Sequence, residues 1–270
     1  MDNFFLDTER GRRFCIYHPA AGVPRPRAAL LYLHPFAEEL NRARRMASLQ
    51  ARLLAAEGYA VLQCDLFGCG DSDGDFGEAT WAQWLADVDT ALAWLRTRAT
   101  APLWLWGLRA GCLLAADALP RHPDIAGLLF WQPQTSGKLA LKQFLRIKMA
   151  ERMLDGVQGE GTDKLRARLL AGEGIEIAGY LLSPGMAEGL EAAALRLPGQ
   201  ALRIECLEVA AGDGGAPTPA VAACVAQWQA AGHVPRAASV GGASFWQMAE
   251  PEDAPALLRA TSLALAPLPD

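Results

Sequence analysis

The stretch PLWLWGLRAGCLLAADAL, residues 102–119, decides how the chain is read. PLWLW is a short apolar run bounded like a buried strand, and AGCLLAADAL has the composition of a buried helix. Between them stands Gly107-Leu108-Arg109-Ala110-Gly111, a glycine on either side of one central residue. Glycines at that spacing let a strand turn directly into a helix, because neither brings a Cβ into the crossing. Arg109 therefore belongs at the carboxyl end of a strand and the amino end of a helix. In open parallel sheets, ligands collect at that edge.

Working outward, strands alternate with helices. Residues 28–33 (AALLYL) read as a buried strand ending in His34-Pro35-Phe36, and 40–57 as an amphipathic helix with Met46, Leu49, Leu53 and Leu54 on one face. Further strands are read at 59–65, 125–131, 203–209 and 236–240, and further helices at 81–98, 220–230 and 251–265. FFLD and RRFCIYHP, around the turn-like TERG, form an antiparallel opening pair. This order implies an α/β fold with a mostly parallel central sheet and helices on both faces. From Gln132 to Leu197 the pattern turns helical and more charged. Residues 1–270 are accordingly expected to form one domain, with 132–197 as a helical cap inserted between sheet strands.

The bulk properties exclude several classes of partner. A net charge of −5 and the lack of a dense basic patch argue against nucleic acid. The longest apolar runs fall short of the roughly 18 residues of a membrane span, and the charge order at the N-terminus does not suit a signal peptide. The six cysteines are scattered, without the spacing of a metal site. No metal and no cofactor is expected, and the setting is read as reduced and cytoplasmic.

Strand, tight turn and helix around residue 109 have the layout of the nucleophile elbow of the α/β-hydrolase fold. A second match to that motif, Gly70-Asp71-Ser72-Asp73-Gly74, lies in a loop several residues past its strand, so Ser72 is read as a turn residue. At the true elbow the nucleophile position holds Arg109, whose guanidinium stays protonated and cannot attack an acyl group. Cys112 is displaced into the helix and is read as a structural thiol. The catalytic histidine of this fold follows the last strand, but here that segment reads Gly241-Gly242-Ala243-Ser244-Phe245-Trp246-Gln247, and the final histidine, His233, precedes the strand. Asp213 follows the strand that carries the acid in this fold; without a histidine it is read as a loop residue. No Ser-His-Asp triad can be assembled.

HPFAEELNRARRM (34–46), DLFGCGDSDGDF (65–76), GLRAG (107–111), GKLALKQFLR (137–146), LSPGMAEGL (182–190) and FWQ (245–247) resemble the second hydrolase family associated with exosortase A. The resemblance runs nearly the whole length of the chain. It implies the α/β-hydrolase fold and a setting in bacterial gene clusters for exopolysaccharide production and exosortase-dependent protein sorting. It also implies that arginine at the elbow is the family's habit.

The other polar residues near the expected site divide between structural and ligand roles. His34 either holds its loop or contacts a ligand. Glu38, spaced i,i+4 from His34, is expected to pair with Arg109, and Glu39 to be a surface residue. Trp246 and Gln247 occupy the place of the lost histidine and suit a sugar or acyl pocket. Asp65 and Asp71 are read as loop-shaping, Arg44 and Arg45 as solvated, and Lys138 and Lys142 as cap surface charges. Three functions stay open. The chain binds a small anionic or sugar-derived ligand, as an accessory protein of a polysaccharide system. Alternatively it hydrolyses an ester or related bond through an unconventional site, with His34 as base and Arg109 stabilising an oxyanion. Or it is a structural or interaction protein, with Arg109 in an internal ion pair.

Overall fold

The computed structural model describes residues 1–154 and 160–266. In chain order the elements are β1 (Asp2–Thr8), β2 (Gly11–His18), β3 (Ala29–Leu33), α1 (Glu38–Ala56), β4 (Ala60–Cys64), α2 (Trp81–Arg98), β5 (Leu103–Leu108), α3 (Ala110–Ala118) and β6 (Ile125–Trp131). There follow α4 (Gly137–Leu154), α5 (Thr162–Leu170), β7 (Ile175–Ile177), β8 (Tyr180–Leu182), α6 (Pro184–Ala192), β9 (Arg203–Ala210), β10 (Gly214–Gly215), α7 (Pro219–Ala230), β11 (Val234–Gly241) and α8 (Pro255–Leu265).

The main sheet runs β1-β2-β4-β3-β5-β6-β9-β11-β10. Pairing is parallel from β4 through β11, and antiparallel at both edges, where β1–β2–β4 and β10–β11 meet. Because β3 leads to β4 on one side and has β5 on the other, the strand order reverses between β3 and β5. A crevice opens at such a reversal, beyond the carboxyl ends of the strands. His34 and Arg109 directly follow those two strands.

Side chains alternate across the sheet with the period of a strand. Leu31, Leu33, Leu103 and Leu105 enter one core with α2, α3 and α7. Leu30, Tyr32, Trp104 and Trp106 enter the other with α1 and α8. Arg13 of β2 and Asp87 of α2, both buried, form an ion pair at 2.8 Å, and Asp87 also accepts the Phe67 N–H at 2.7 Å. That carboxylate fixes the start of the loop after β4, a role the sequence did not signal.

Two differences from the sequence reading matter. Among the described residues, the segment between β6 and β9 contains α4, α5 and α6 and also the small β7–β8 hairpin. Ala178 (φ 50°) and Gly179 (φ 79°) supply its two-residue turn, and the flanking Ile175-Glu176-Ile177 alternates as a strand does. Helix α1 begins at Glu38 rather than Leu40, which puts both glutamates in its first turn.

The elbow is built on close backbone approach. A Cβ at Gly111 would fall well inside contact distance of the Leu33 carbonyl oxygen, and one at Gly107 would lie 2.6 Å from the Cys112 nitrogen. Backbone atoms of β3 and α3 cannot yield as a flexible side chain can. Gly111→Ala should therefore lose about 1–3 kcal/mol of stability in urea titrations. Gly199→Ala, placed in open space, should stay within about 0.5 kcal/mol of wild type. Equal midpoints for the two variants would contradict the elbow packing.

Candidate functional site

Arg109 caps α3 with φ 56° and ψ −117°. Its N–H donates to the Trp131 carbonyl at 3.0 Å, and its carbonyl accepts the Cys112 N–H at 3.1 Å. A side chain in that conformation is strained by roughly 1–3 kcal/mol, and such residues concentrate at functional sites. Ala37 (φ 49°), beyond the end of β3, and Gln132 (φ 43°), beyond the end of β6, are held in the same way. The segments that leave three adjacent strands, β3, β5 and β6, thus each carry one strained residue.

The guanidinium meets Glu39. Its Nε donates to Glu39 Oε1 at 3.2 Å and Oε2 at 3.4 Å, and Nη2 stands 3.2 Å from Oε1. The two side chains are 14% and 13% exposed, so the pair is partly screened but largely out of water. The Arg109 guanidinium also lies 5.6 Å over the Trp246 ring. Burial pushes the Glu39 carboxyl up to about 7, with Arg109 opposing the rise and Glu38 adding to it.

The expectation that Glu38 would be the partner of Arg109 is corrected. Residues 34–37 are not helical, so an i,i+4 relation to His34 has no meaning there. With the helix starting at Glu38, Glu39 is turned about 100° further round the axis and reaches the elbow. Glu38 instead lines the cavity. Its Oε2 has no hydrogen-bond partner among the described residues, and burial raises its carboxyl as well.

His34 does not line this cavity. The residue is 4% exposed, and Nδ1 lies 2.8 Å from the Pro35 carbonyl while the Leu66 N–H approaches Nε2 at 3.4 Å. Those partners assign the proton to Nδ1 and the lone pair on Nε2 to Leu66. Burial lowers its pKa, and the ring packs edge-on against Trp84 at 5.5 Å. The imidazole holds its loop, and neither nitrogen is available to activate water. Trp246 is buried beneath Arg109, and Gln247 reaches the cavity wall.

The cavity has a volume of about 430 Å³. Its polar lining residues are Glu38, Glu39, Arg42, Arg109, Gln134, Gln143 and Gln247. Its apolar ones are Phe36, with Ala140, Phe144 and Ile147 of α4 and Leu190 of α6. Arg42 donates to the Gln247 carbonyl at 3.3 Å and so ties α1 to the segment after β11. Arg42, Gln134 and Gln143 escaped the sequence reading. Only Gln134 left a signal, standing just past a strand end.

The remaining residues sit as loop and surface chemistry dictates. Ser72 Oγ accepts the Phe14 N–H at 2.8 Å and donates to the Asp65 carbonyl at 2.5 Å, pinning its loop to β2. Asp65 accepts from Arg44 at 2.8 Å and from the Asp71 N–H at 3.1 Å. Arg45 is paired with Asp253 at 2.7 Å. Lys138 and Lys142 border a shallow depression with Thr162 and Arg166, away from the elbow cavity. The Cys112 thiol is buried and raised. Of the histidines, His18, His34, His122 and His233, none follows β11, and Asp213 is exposed in the turn before β10.

The family model for the serine aminopeptidases S33 matches residues 24–170, more than half of the chain and all of the elbow. The chain belongs to this α/β-hydrolase family. Within the matched residues the strand-to-helix turn at the end of β5 carries Arg109. Among solved structures, Est1E of Butyrivibrio proteoclasticus with bound ferulic acid superimposes with a TM-score of 0.64 at 15% identity, over 97% of this chain and 96% of that one. A carboxyl esterase of Bacillus coagulans in complex with glycerol gives 0.60 at 13%, over 89% and 90%. A serine hydrolase without a lid from Xanthomonas campestris gives 0.55 at 14%, over 97% and 89%. At such identities the likeness shows the α/β-hydrolase fold. No curated protein sequence matches the chain.

The Glu39 carboxyl makes a pH prediction with a definite sign. Its folded pKa, about 7, is above the usual 4.5, so the stability it contributes is fully present below pH 4.5 and is lost as pH rises through 7. Glu39→Gln, neutral throughout, should remove that decline from a series of urea midpoints taken between pH 4.5 and 8. Parallel curves for wild type and variant would show that the carboxyl does not titrate there.

Proposed function

We propose that this S33-family chain binds a small hydroxyl-bearing, glycan-related ligand at its elbow and does not run serine hydrolysis. In this reading it is a cytoplasmic accessory protein of bacterial exopolysaccharide production and exosortase-dependent sorting, as its sequence resemblance implies. It is one domain in which 132–197 acts as the cap. The observation that carries the proposal is the elbow itself, where a guanidinium paired with Glu39 faces a cavity whose wall includes Gln247.

The composition of the cavity supports a neutral hydroxylated head over a simple anion. Arg109 is met at 3.2 Å by Glu39, so its charge is answered within the chain whenever that carboxyl is ionised. Carboxylates, guanidiniums and amides together donate to and accept from sugar hydroxyls. The apolar lining residues of α4 and α6 suit the hydrocarbon part of a glycoside or acyl group.

A second reading, an unconventional hydrolase, draws support from the esterases among the structural neighbours. In it Glu39 rather than His34 takes the proton from water, since a carboxyl near 7 is tuned for that task.

The two readings separate in one set of assays. On the binding reading, fluorophosphonates label no serine, p-nitrophenyl esters are not hydrolysed above background, and Arg109→Ser restores nothing. Saturation-transfer NMR should detect neutral alkyl glycosides in contact with wild type but not with Arg109→Met. Ester turnover abolished by Glu39→Gln would install the second reading, and stoichiometric serine labelling would overturn both.

A further inference from the structure

The two edges of the main sheet are finished differently. One ends in β10, which is 2 residues long, and the other in β1, a strand of 7 residues. Among the described residues, no strand pairs with the outer side of β1. We infer that β1 is an interface between two copies of this chain. Their β1 strands pair antiparallel about a two-fold axis through Phe5, so that the sheet runs on from one copy into the other.

The backbone of β2 shows which groups of β1 face outward. Arg12 donates its N–H to the Asp73 carboxylate at 2.8 Å, and its carbonyl accepts the Asp73 N–H at 2.9 Å. Phe14 donates its N–H to Ser72 Oγ at 2.8 Å, and its carbonyl accepts the Asp65 N–H at 2.9 Å. Both residues thus turn their backbone polar groups away from β1. Opposite residues of an antiparallel pair either exchange both bonds or exchange neither. Asp7 and Phe5, opposite Arg12 and Phe14, are therefore unbonded to β2, and by the same alternation so is Asn3, opposite Ile16. Three N–H groups and three carbonyls face out in a row. The register with β2 is unbroken and the strand holds no proline or lysine, so nothing of that kind blunts the edge.

The occupant is a second copy because the row complements itself. Turned about Phe5, the second strand sets its Asp7 opposite Asn3, its Phe5 opposite Phe5 and its Asn3 opposite Asp7. Every outward donor and acceptor then meets a partner. The one charged side chain in the row faces an amide on each side of the axis, and no carboxylate faces another. Phe5, 46% exposed in the single chain, is covered by its own counterpart. On the other face of the strand Phe4 comes opposite Leu6. Both are partly buried against the core, and Phe4 stacks on Trp94 at 4.5 Å, so the second copy continues an apolar surface already begun. A shift of two residues in either direction carries one of the three outward residues past the end of the partner strand.

Sedimentation equilibrium of the purified chain between about 1 μM and about 1 mM should show monomer and dimer in exchange. Hydrogen exchange should slow at the Asn3, Phe5 and Asp7 amides as the concentration rises. Asp7→Pro removes an outward donor without touching the β1–β2 ladder, and should abolish the dimer. Asn3→Asp sets carboxylate against carboxylate on both sides of the axis and should weaken the dimer about tenfold. Adding Asp7→Asn to Asn3→Asp again places an amide opposite each carboxylate and should recover the wild-type affinity, which decides the matter even if Asp7→Pro folds poorly. A chain that stays monomeric across that range overturns the proposal. So does a dimer that survives Asp7→Pro or ignores Asn3→Asp, and so does a loss with Asn3→Asp that Asp7→Asn fails to recover.

Discussion

Two helices point their amino ends into one crevice, and a single ion pair reconciles them. Arg109 stands at the start of α3, where the helix dipole already repels positive charge. Glu39 stands in the first turn of α1, where the same effect favours a carboxylate. The contact at 3.2 Å lets each side chain answer both its partner and the opposing helix end. Without Glu39, a largely buried guanidinium would face a positive dipole from a strained backbone position. Burial opposes the pair by raising the carboxyl, so the contact is strong in geometry but modest in net energy.

The fold determines where this happens. Reversal of strand order between β3 and β5 brings the start of α1 and the start of α3 side by side. Glycines at 107 and 111 let α3 press against the end of β3, and the segment between β6 and β9 supplies apolar lining residues to the cavity. At this edge the elbow presents a charge, Trp246 lies beneath it, and Arg42 on α1 donates to the Gln247 carbonyl beside it.

Much of this could be read from the sequence because it rests on local pattern. PLWLW, the paired glycines and the alanine-rich helix fix the elbow whatever surrounds them, and the alternation of strands and helices fixes the parallel sheet. Reading Ser72 as a loop residue rested on its distance from a strand, which is likewise local. What failed was orientation. Glu38 and Glu39 are neighbours, and the choice between them turns on a helix start displaced by two residues. Arg42, Gln143 and the Arg13–Asp87 pair become significant only when distant elements pack, and nothing in their immediate sequence marks them. The edge strand β10 and the β7–β8 hairpin are too short for periodicity to show.

A double-mutant cycle on Arg109→Met and Glu39→Gln, read as unfolding free energy at pH 8, tests the central claim most directly. At that pH the carboxyl is mostly ionised, and the ion pair at the elbow predicts that the two losses are not additive. The coupling should be about 0.5–3 kcal/mol in favour of the wild-type pair. Additive losses would contradict the account, for they would mean that Arg109 and Glu39 are merely adjacent and that the site is organised by something else.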